Sequence, residues 1–300
     1  MEKMYLEPAE IAKQYIEIGR KKTHCPAYKL ILLGILAGAF IALAAQGSNV
    51  AIHTIASVGL GKALAGAIFA TGLMMVIITG AELFTGNTLI VISCLEKKSY
   101  WRKMLQNWFY VYLGNFVGSI LIVLLIFYSG QLSFSGGLLG GFTIKVAAYK
   151  TGLSFEKAFF MGILCNILVC LAVWMATAAQ DITGKLFAIF FPIWLFIASG
   201  FEHSIANMYY IPAGILAKLQ PGMVEQAIAL GVTSEQLSQL TWAGFLKNLL
   251  PVTLGNIVGG SLFVGFTYWA SYLFQVKSIQ SNQINNIYEQ SGGEKHVVQK

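Results

Sequence analysis

The chain has 300 residues, of which 56% are hydrophobic and 11% charged, with a mean hydropathy of +0.67 and a formal net charge of +7. A soluble domain dresses its surface with about 25% charged residues, so this composition excludes a water-soluble globular protein and points to a bilayer as second solvent. The positive charge lies in short segments beside apolar runs, which is the pattern of membrane topology and not of nucleic-acid binding.

Residues 1–28 are polar, with no apolar leader, and predict an N-terminal cytoplasmic amphipathic segment. Within it, residues 7–22 put Ile11, Tyr15 and Ile18 on one helical face and Glu10, Lys13, Glu17 and Arg20 away from it. Such a helix suits a membrane surface. Residues 29–275 predict the membrane domain. Apolar runs long enough to cross the hydrocarbon occupy about 30–52, 62–80, 106–128, 158–179, 184–200 and 249–274. The fold class expected is an all-α membrane protein with six crossings.

Two runs continue where they should stop. After residue 80 the chain passes through Ala81-Glu82-Leu83-Phe84-Thr85-Gly86-Asn87 and turns apolar again to Cys94. After residue 200 it passes through Phe201-Glu202-His203-Ser204-Ile205-Ala206-Asn207 and turns apolar again to about 216. Polar groups inside such runs predict second and fifth helices broken within the bilayer, where bare backbone is tolerated only against protein or a watery cavity. Residues 276–300 are polar and predict a disordered cytoplasmic tail. Of the 20 lysines and arginines, Lys62, Lys145, Lys150, Lys157, Lys218 and Lys247 fall on the face opposite the N-terminus, and the other 14 share the face of both termini. That bias predicts cytoplasmic termini.

The crossings repeat. Gly34-Ile35-Leu36 in the first matches Gly162-Ile163-Leu164 in the fourth. Gly80-x-Glu82-x4-Asn87 in the second matches Gly200-x-Glu202-x4-Asn207 in the fifth. Leu113-Gly114-Asn115-x-Val117-Gly118 in the third matches Leu254-Gly255-Asn256-x-Val258-Gly259 in the sixth. Three crossings per half is an odd number, so the second half enters from the opposite face. Inverted repeats of this kind place a permeation or binding site near the midplane, at the paired broken helices.

The repeat separates scaffold from chemistry. Glu82 and Glu202 are equivalent, as are Asn87 and Asn207, and symmetric polar residues most simply serve the shared architecture. A carboxylate at a helix break can accept from the freed backbone N–H groups. Asn115 and Asn256 read as polar glue between helices. His203 has Leu83 as its counterpart, Thr85 has Ile205, and Asn166 has Gly38. These three asymmetric polar residues are candidates to converge on one pore, with a buried His203 resting neutral and offering one N–H. The cysteines, Cys25, Cys94, Cys165 and Cys170, have no metal-ligand spacing and read as small hydrophobes. No HExxH, GxSxG or Walker pattern occurs, and no enzyme, metal site or cofactor is read. A membrane enzyme built on Glu202 and His203 lacks a marked nucleophile.

The stretches Glu82-Leu83-Phe84-Thr85-Gly86-Asn87, Gly200-Phe201-Glu202-His203-Ser204-Ile205-Ala206-Asn207-Met208 and Leu250-Pro251-Val252-Thr253-Leu254-Gly255-Asn256 resemble the formate/nitrite transporter family. The resemblance covers about residues 5–275 and implies a homopentamer of aquaporin-like protomers, one pore in each, in a bacterial-type inner (plasma) membrane. It implies apolar constrictions at Phe69, Leu73, Phe84 and Phe196, and Thr85 on the mobile loop that breaks the second helix. It further implies His203 as the central histidine, Asn166 as its polar neighbour, and Lys150 as the basic residue of the outer vestibule. The substrate implied is a small monovalent anion, with the motifs more similar to the formate branch than to the nitrite or hydrosulfide branches. The expected partners are formate or a similar anion, a proton, the lipid bilayer and further copies of the chain.

Overall fold

The computed structural model describes residues 5–274, and the tail expected over 276–300 lies outside them. In chain order the helices are α1 (Pro8–Thr23), α2 (Ala27–Ile52), α3 (Val58–Thr79), α4 (Phe84–Leu95), α5 (Trp101–Tyr128), α6 (Leu138–Thr151), α7 (Phe155–Ala178), α8 (Ile182–Ser199), α9 (Ser204–Ala217), α10 (Pro221–Ala229), α11 (Ser234–Gln239) and α12 (Trp242–Phe274). Six of them, α2, α3, α5, α7, α8 and α12, are long and apolar enough to cross a membrane. They are the six crossings expected, in two repeats of three. In each repeat the first crossing packs on the second and third: α2 on α3 and α5, then α7 on α8 and α12. The second crossings of the two repeats, α3 and α8, pack on each other.

Small residues let these helices approach closely. A Cβ on Gly34 would lie 3.0 Å from the Val111 carbonyl oxygen, and one on Gly162 would lie 2.8 Å from that of Val252. The two contacts are equivalent, because the 128-residue offset from Gly34 to Gly162 and the 141-residue offset from Val111 to Val252 are those of the repeat.

Both helix breaks are made the same way. α3 ends on Gly80 at φ 77° and α8 ends on Gly200 at φ 73°, a left-handed turn that favours glycine. Ala81 N–H then donates back to the Val76 carbonyl and Phe201 N–H to that of Phe196, while the glycine N–H groups donate to Ile77 and Ile197, so two of the last-turn carbonyls of each helix are satisfied. The chain runs extended through residue 83 or 203 before helix resumes in α4 or α9.

The freed backbone groups find asparagines. Asn115 Oδ1 accepts from Phe84 N–H at 3.0 Å, while its Nδ2 donates to the carbonyls of Gly34 and Glu82 at 2.8 and 2.9 Å. Asn256 repeats all three contacts on Ser204, Gly162 and Glu202 at 2.9, 2.8 and 3.0 Å. This corrects the expectation that Glu82 and Glu202 accept from the broken backbone. An amide carries donor and acceptor together and can join two helices to the break, which an ionised carboxylate cannot.

α1 spends its apolar face on the protein. Ile11, Ala12 and Tyr15 are buried. The Tyr15 ring stacks on Trp174 with centroids 5.1 Å apart, and Trp174 stacks on Tyr268 at 4.3 Å. The helix is thereby pinned across α7 and α12, with its last turn at the first helix break. α6 holds the matching place before α7 in the second repeat.

Candidate functional site

Three cavities lie in series through the two repeats. On the side of α1 is a space of about 290 Å³ that includes Lys22, Glu82, Asn87, Leu73 and Leu83 in its wall. On the side of α6 is a larger one of about 540 Å³ that includes Lys150, Glu202, Phe196 and His203. Between them is a neck of about 10 Å³, walled by Ile41, Phe69, Leu73, Leu83, Val169, Ile193, Phe196 and His203. Leu73 and Leu83 face both the neck and the α1-side cavity, and Phe196 and His203 face both the neck and the α6-side cavity. The neck has room for about one water molecule, so an ion passing it must shed its hydration shell.

The neck sits on the pseudo-two-fold axis. Ile41 and Val169 are repeat equivalents, as are Leu73 and Ile193. Leu83 and His203 are a third pair, in which an apolar side chain meets a polar one, and His203 is the one polar side chain in the wall; Phe69 and Phe196 are not equivalents, their counterparts being Ile189 and Val76. The edge-to-face pair Phe69–Phe196, with centroids 5.8 Å apart, closes the neck toward the α6 side.

His203 precedes the first residue of α9 and caps it, with Nδ1 accepting from Ala206 N–H at 3.1 Å. A nitrogen that accepts is unprotonated, so the neutral ring carries its proton on Nε2. That atom lies 2.9 Å from Thr85 Oγ1. With Nε2–H donating, the Thr85 hydroxyl keeps its own proton to donate elsewhere. Thr85 is held in turn by Asn166, whose Nδ2 lies 3.2 Å from the Thr85 carbonyl, 3.2 Å from Thr88 Oγ1 and 2.6 Å from the Asn256 carbonyl. The structure therefore joins His203, Thr85 and Asn166 in one chain of contacts. Asn166 is a positioning residue within it: its amide nitrogen is committed to backbone and to Thr88, and only His203 of the three lines the neck.

Each cavity next to the neck carries one lysine–glutamate–asparagine cluster. On the α1 side Lys22 Nζ lies 2.7 Å from both oxygens of Glu82 and 2.9 Å from Asn87 Oδ1. Asn87 Nδ2 reaches Glu82 and Asn107, and Asn107 Nδ2 donates to the Lys22 carbonyl. On the α6 side Lys150 Nζ lies 2.7 Å from Glu202 Oε1 and sits 5.2 Å from the centre of the Tyr210 ring. Asn207 Nδ2 reaches Glu202 and Asn248, and Asn248 Nδ2 donates to the Lys150 carbonyl. Lys22 and Lys150 stand at the 128-residue offset of the repeat, and Asn107 and Asn248 at the 141-residue offset. Extending the offsets outward from the glycine motifs finds all four.

Of the residues expected at apolar constrictions, Phe69, Leu73 and Phe196 line the neck and Phe84 does not. Phe84 packs against Trp108 and Tyr112, with centroids 6.0 and 4.9 Å away, beside an apolar groove between α5 and α12. Leu83 is the last extended residue and lines the neck, whereas Phe84 opens α4 and turns to the groove. Ile41, Val169 and Ile193 join Leu83 in the wall, unmarked in the sequence because each is one aliphatic residue among many.

A sequence profile described as formate/nitrite transporter matches residues 9–270. The formate channel FocA of Escherichia coli K12 is 40% identical over 271 residues, covering 89% of this chain and 95% of that protein. A probable formate transporter of Methanothermobacter thermautotrophicus is 38% identical over 288 residues, covering 90% and 98%. A solved structure described as a pentameric formate channel with formate bound superposes with a TM-score of 0.73 at 39% identity, covering 82% of this chain and 98% of that one.

Proposed function

Because the chain belongs to the formate/nitrite transporter family, we propose that it carries small monovalent anions across a membrane, with formate as principal substrate and a proton as partner. The observation that carries this reading is the neck: apolar on every side but one, and closed at each end by a lysine-bearing cavity. An anion entering such a neck bare loses several kcal/mol of hydration. Lysine at each mouth concentrates the anion by Coulomb attraction. His203 faces the neck, and its Nε2–H, once it turns from Thr85 Oγ1 to the anion, is the donor for a carboxylate that has lost its water, with the freed Thr85 hydroxyl behind it as a second donor. Transfer of a proton to the anion removes its charge and most of the barrier. Thr85 and His203 bind and orient; Asn166 holds the loop that carries Thr85. Glu82 and Asn87 hold Lys22, Glu202 holds Lys150, and Asn207 holds Glu202, which together fix the two mouths.

The working unit proposed is a homopentamer with one pore in each protomer, supported by the likeness to a solved pentameric channel. The lysine and arginine bias supports cytoplasmic termini, which puts α1 and the Lys22 mouth inside a bacterial-type plasma membrane and the Lys150 mouth outside. The protein is read as a transporter and not an enzyme.

Flux in proteoliposomes tests the substrate. Formate is expected to permeate faster than nitrite or hydrosulfide, and dicarboxylates to be excluded by the neck. Hydrosulfide flux equal to or above that of formate would assign the chain to the hydrosulfide branch. Free passage of neutral solutes without anion flux would overturn the anion reading.

A further inference from the structure

The two mouths differ in charge. The α1-side cavity is walled by one lysine, Lys22, and one acid, Glu82, paired at 2.7 Å. The α6-side cavity is walled by three lysines, Lys62, Lys145 and Lys150, and one acid, Glu202, which is paired with Lys150. Lys62 and Lys145 are exposed at this mouth, and neither makes an ion pair among the described residues. The repeat does not supply them: the residue equivalent to Lys62 is Ile182. Lys62 leans over the fifth-crossing break, since a Cβ on Gly200 would lie 3.3 Å from its Nζ. In the same wall Asn49 is 2% exposed, and its Nδ2 has no hydrogen-bond partner. A buried amide donor without a partner is costly, and a carboxylate oxygen is its natural acceptor.

We infer that Lys62, Lys145 and the Asn49 amide form an anion-holding site in the α6-side mouth, ahead of the neck, that has no counterpart at the α1-side mouth. The ligand class is a small carboxylate. Two unpaired positive charges in a cleft with low-dielectric walls raise the local anion concentration, and a donor fixed in the wall gives the captured anion a place to rest. The consequence is directional. The α6 face captures the anion at lower bulk concentration than the α1 face, and, because the ratio of maximal rate to KM must be equal from the two faces without a driving force, the maximal rate from the α6 face falls in the same proportion. This inference rests on the anion-carrier reading above and adds an asymmetry to it.

The test is the KM for formate from each face, measured on right-side-out and inside-out vesicles, with faces assigned by protease protection of a C-terminal tag. Wild-type protein is expected to show a KM roughly three- to tenfold lower from the α6 face, shrinking as salt screens the lysines. Lys62→Gln with Lys145→Gln should raise the α6-face KM to the α1-face value. The pair Lys62→Arg and Lys145→Arg should retain the wild-type asymmetry, which separates charge from packing. Asn49→Leu should raise the α6-face KM alone. Formate flux with equal KM from both faces, or a glutamine pair that keeps the asymmetry, overturns this inference and leaves the channel reading standing. Absence of any formate flux in the wild type overturns both.

Discussion

At the two helix breaks the same residue types do the same building and then meet different surroundings. Lysine, glutamate and two asparagines form a closed ring of contacts at each, and a third asparagine, Asn115 or Asn256, ties the broken backbone to two helices. At the α1-side break the lysine touches three oxygens, and its side chain and that of Glu82 are 27% and 13% exposed. At the α6-side break the lysine touches one oxygen of a glutamate, and the exposures fall to 11% and 2%. One residue farther along, leucine faces the neck from the first repeat and histidine from the second. The repeat supplies architecture, and the activity proposed rests on the few places where the repeat is broken.

The largest effect expected separates the two ion pairs. Removing one partner of a buried pair leaves an uncompensated charge and costs about 3–5 kcal/mol, whereas a partly solvated pair costs less. Glu202→Gln should therefore destabilise the folded assembly by about 3 kcal/mol or more, and Glu82→Gln by clearly less. Thermal unfolding of the purified assembly in detergent measures both. Equal losses would show that the difference in burial does not matter.

A second, smaller effect should be symmetric. Asn115→Ala and Asn256→Ala each strip three hydrogen bonds from a helix break and leave a buried backbone N–H and carbonyls without partners. Each should cost about 2–3 kcal/mol, and the two losses should agree within about 0.5 kcal/mol. A large disparity in the same unfolding measurement would mean that one break does not depend on its asparagine.

What the sequence made legible follows from the same physics. The crossings were readable because a bilayer demands about 20 apolar residues in a row, and the breaks because Glu82 and Glu202 interrupt such runs. The inverted repeat was readable because glycine, glutamate and asparagine recur at fixed offsets. α6 escaped notice because its residues, Leu138–Thr151, are largely buried and lack the polar face that marks α1. Lys22 and Asn107 become legible only when the 128- and 141-residue offsets are carried outward from the glycine motifs, and their contact with each other depends on where α1 docks. The direction of Phe84 is set by its place as the first residue of α4, while its residue type says only that it is large and apolar. Lys62 and Lys145 read as topology signals, and only the folded cavity shows that they share a wall with Lys150.

The smallest energetic effect bears most directly on the activity. His203 differs from Leu83 by one polar ring, and His203→Leu would make the wall of the neck apolar throughout. A hydrogen bond to a charged group contributes about 1.5–3 kcal/mol, so His203→Leu should slow formate flux roughly tenfold or more. It would also remove the cap on α9, where Nδ1 accepts from Ala206 N–H, so loss of flux alone does not isolate the pore role. His203→Asn does. Asparagine caps helices well and keeps an N–H donor, but it does not titrate. If the histidine relays a proton to the anion, His203→Asn should pass the bare anion slowly and lose the pH dependence of formate flux. If it only donates a hydrogen bond, asparagine keeps that donor, and both the rate and the pH profile should stay near the wild type, which would sink the proton relay. A His203→Leu protein with the wild-type rate and the wild-type pH profile would leave His203 no role in the pore, and the asymmetry between Leu83 and His203 would then carry no function.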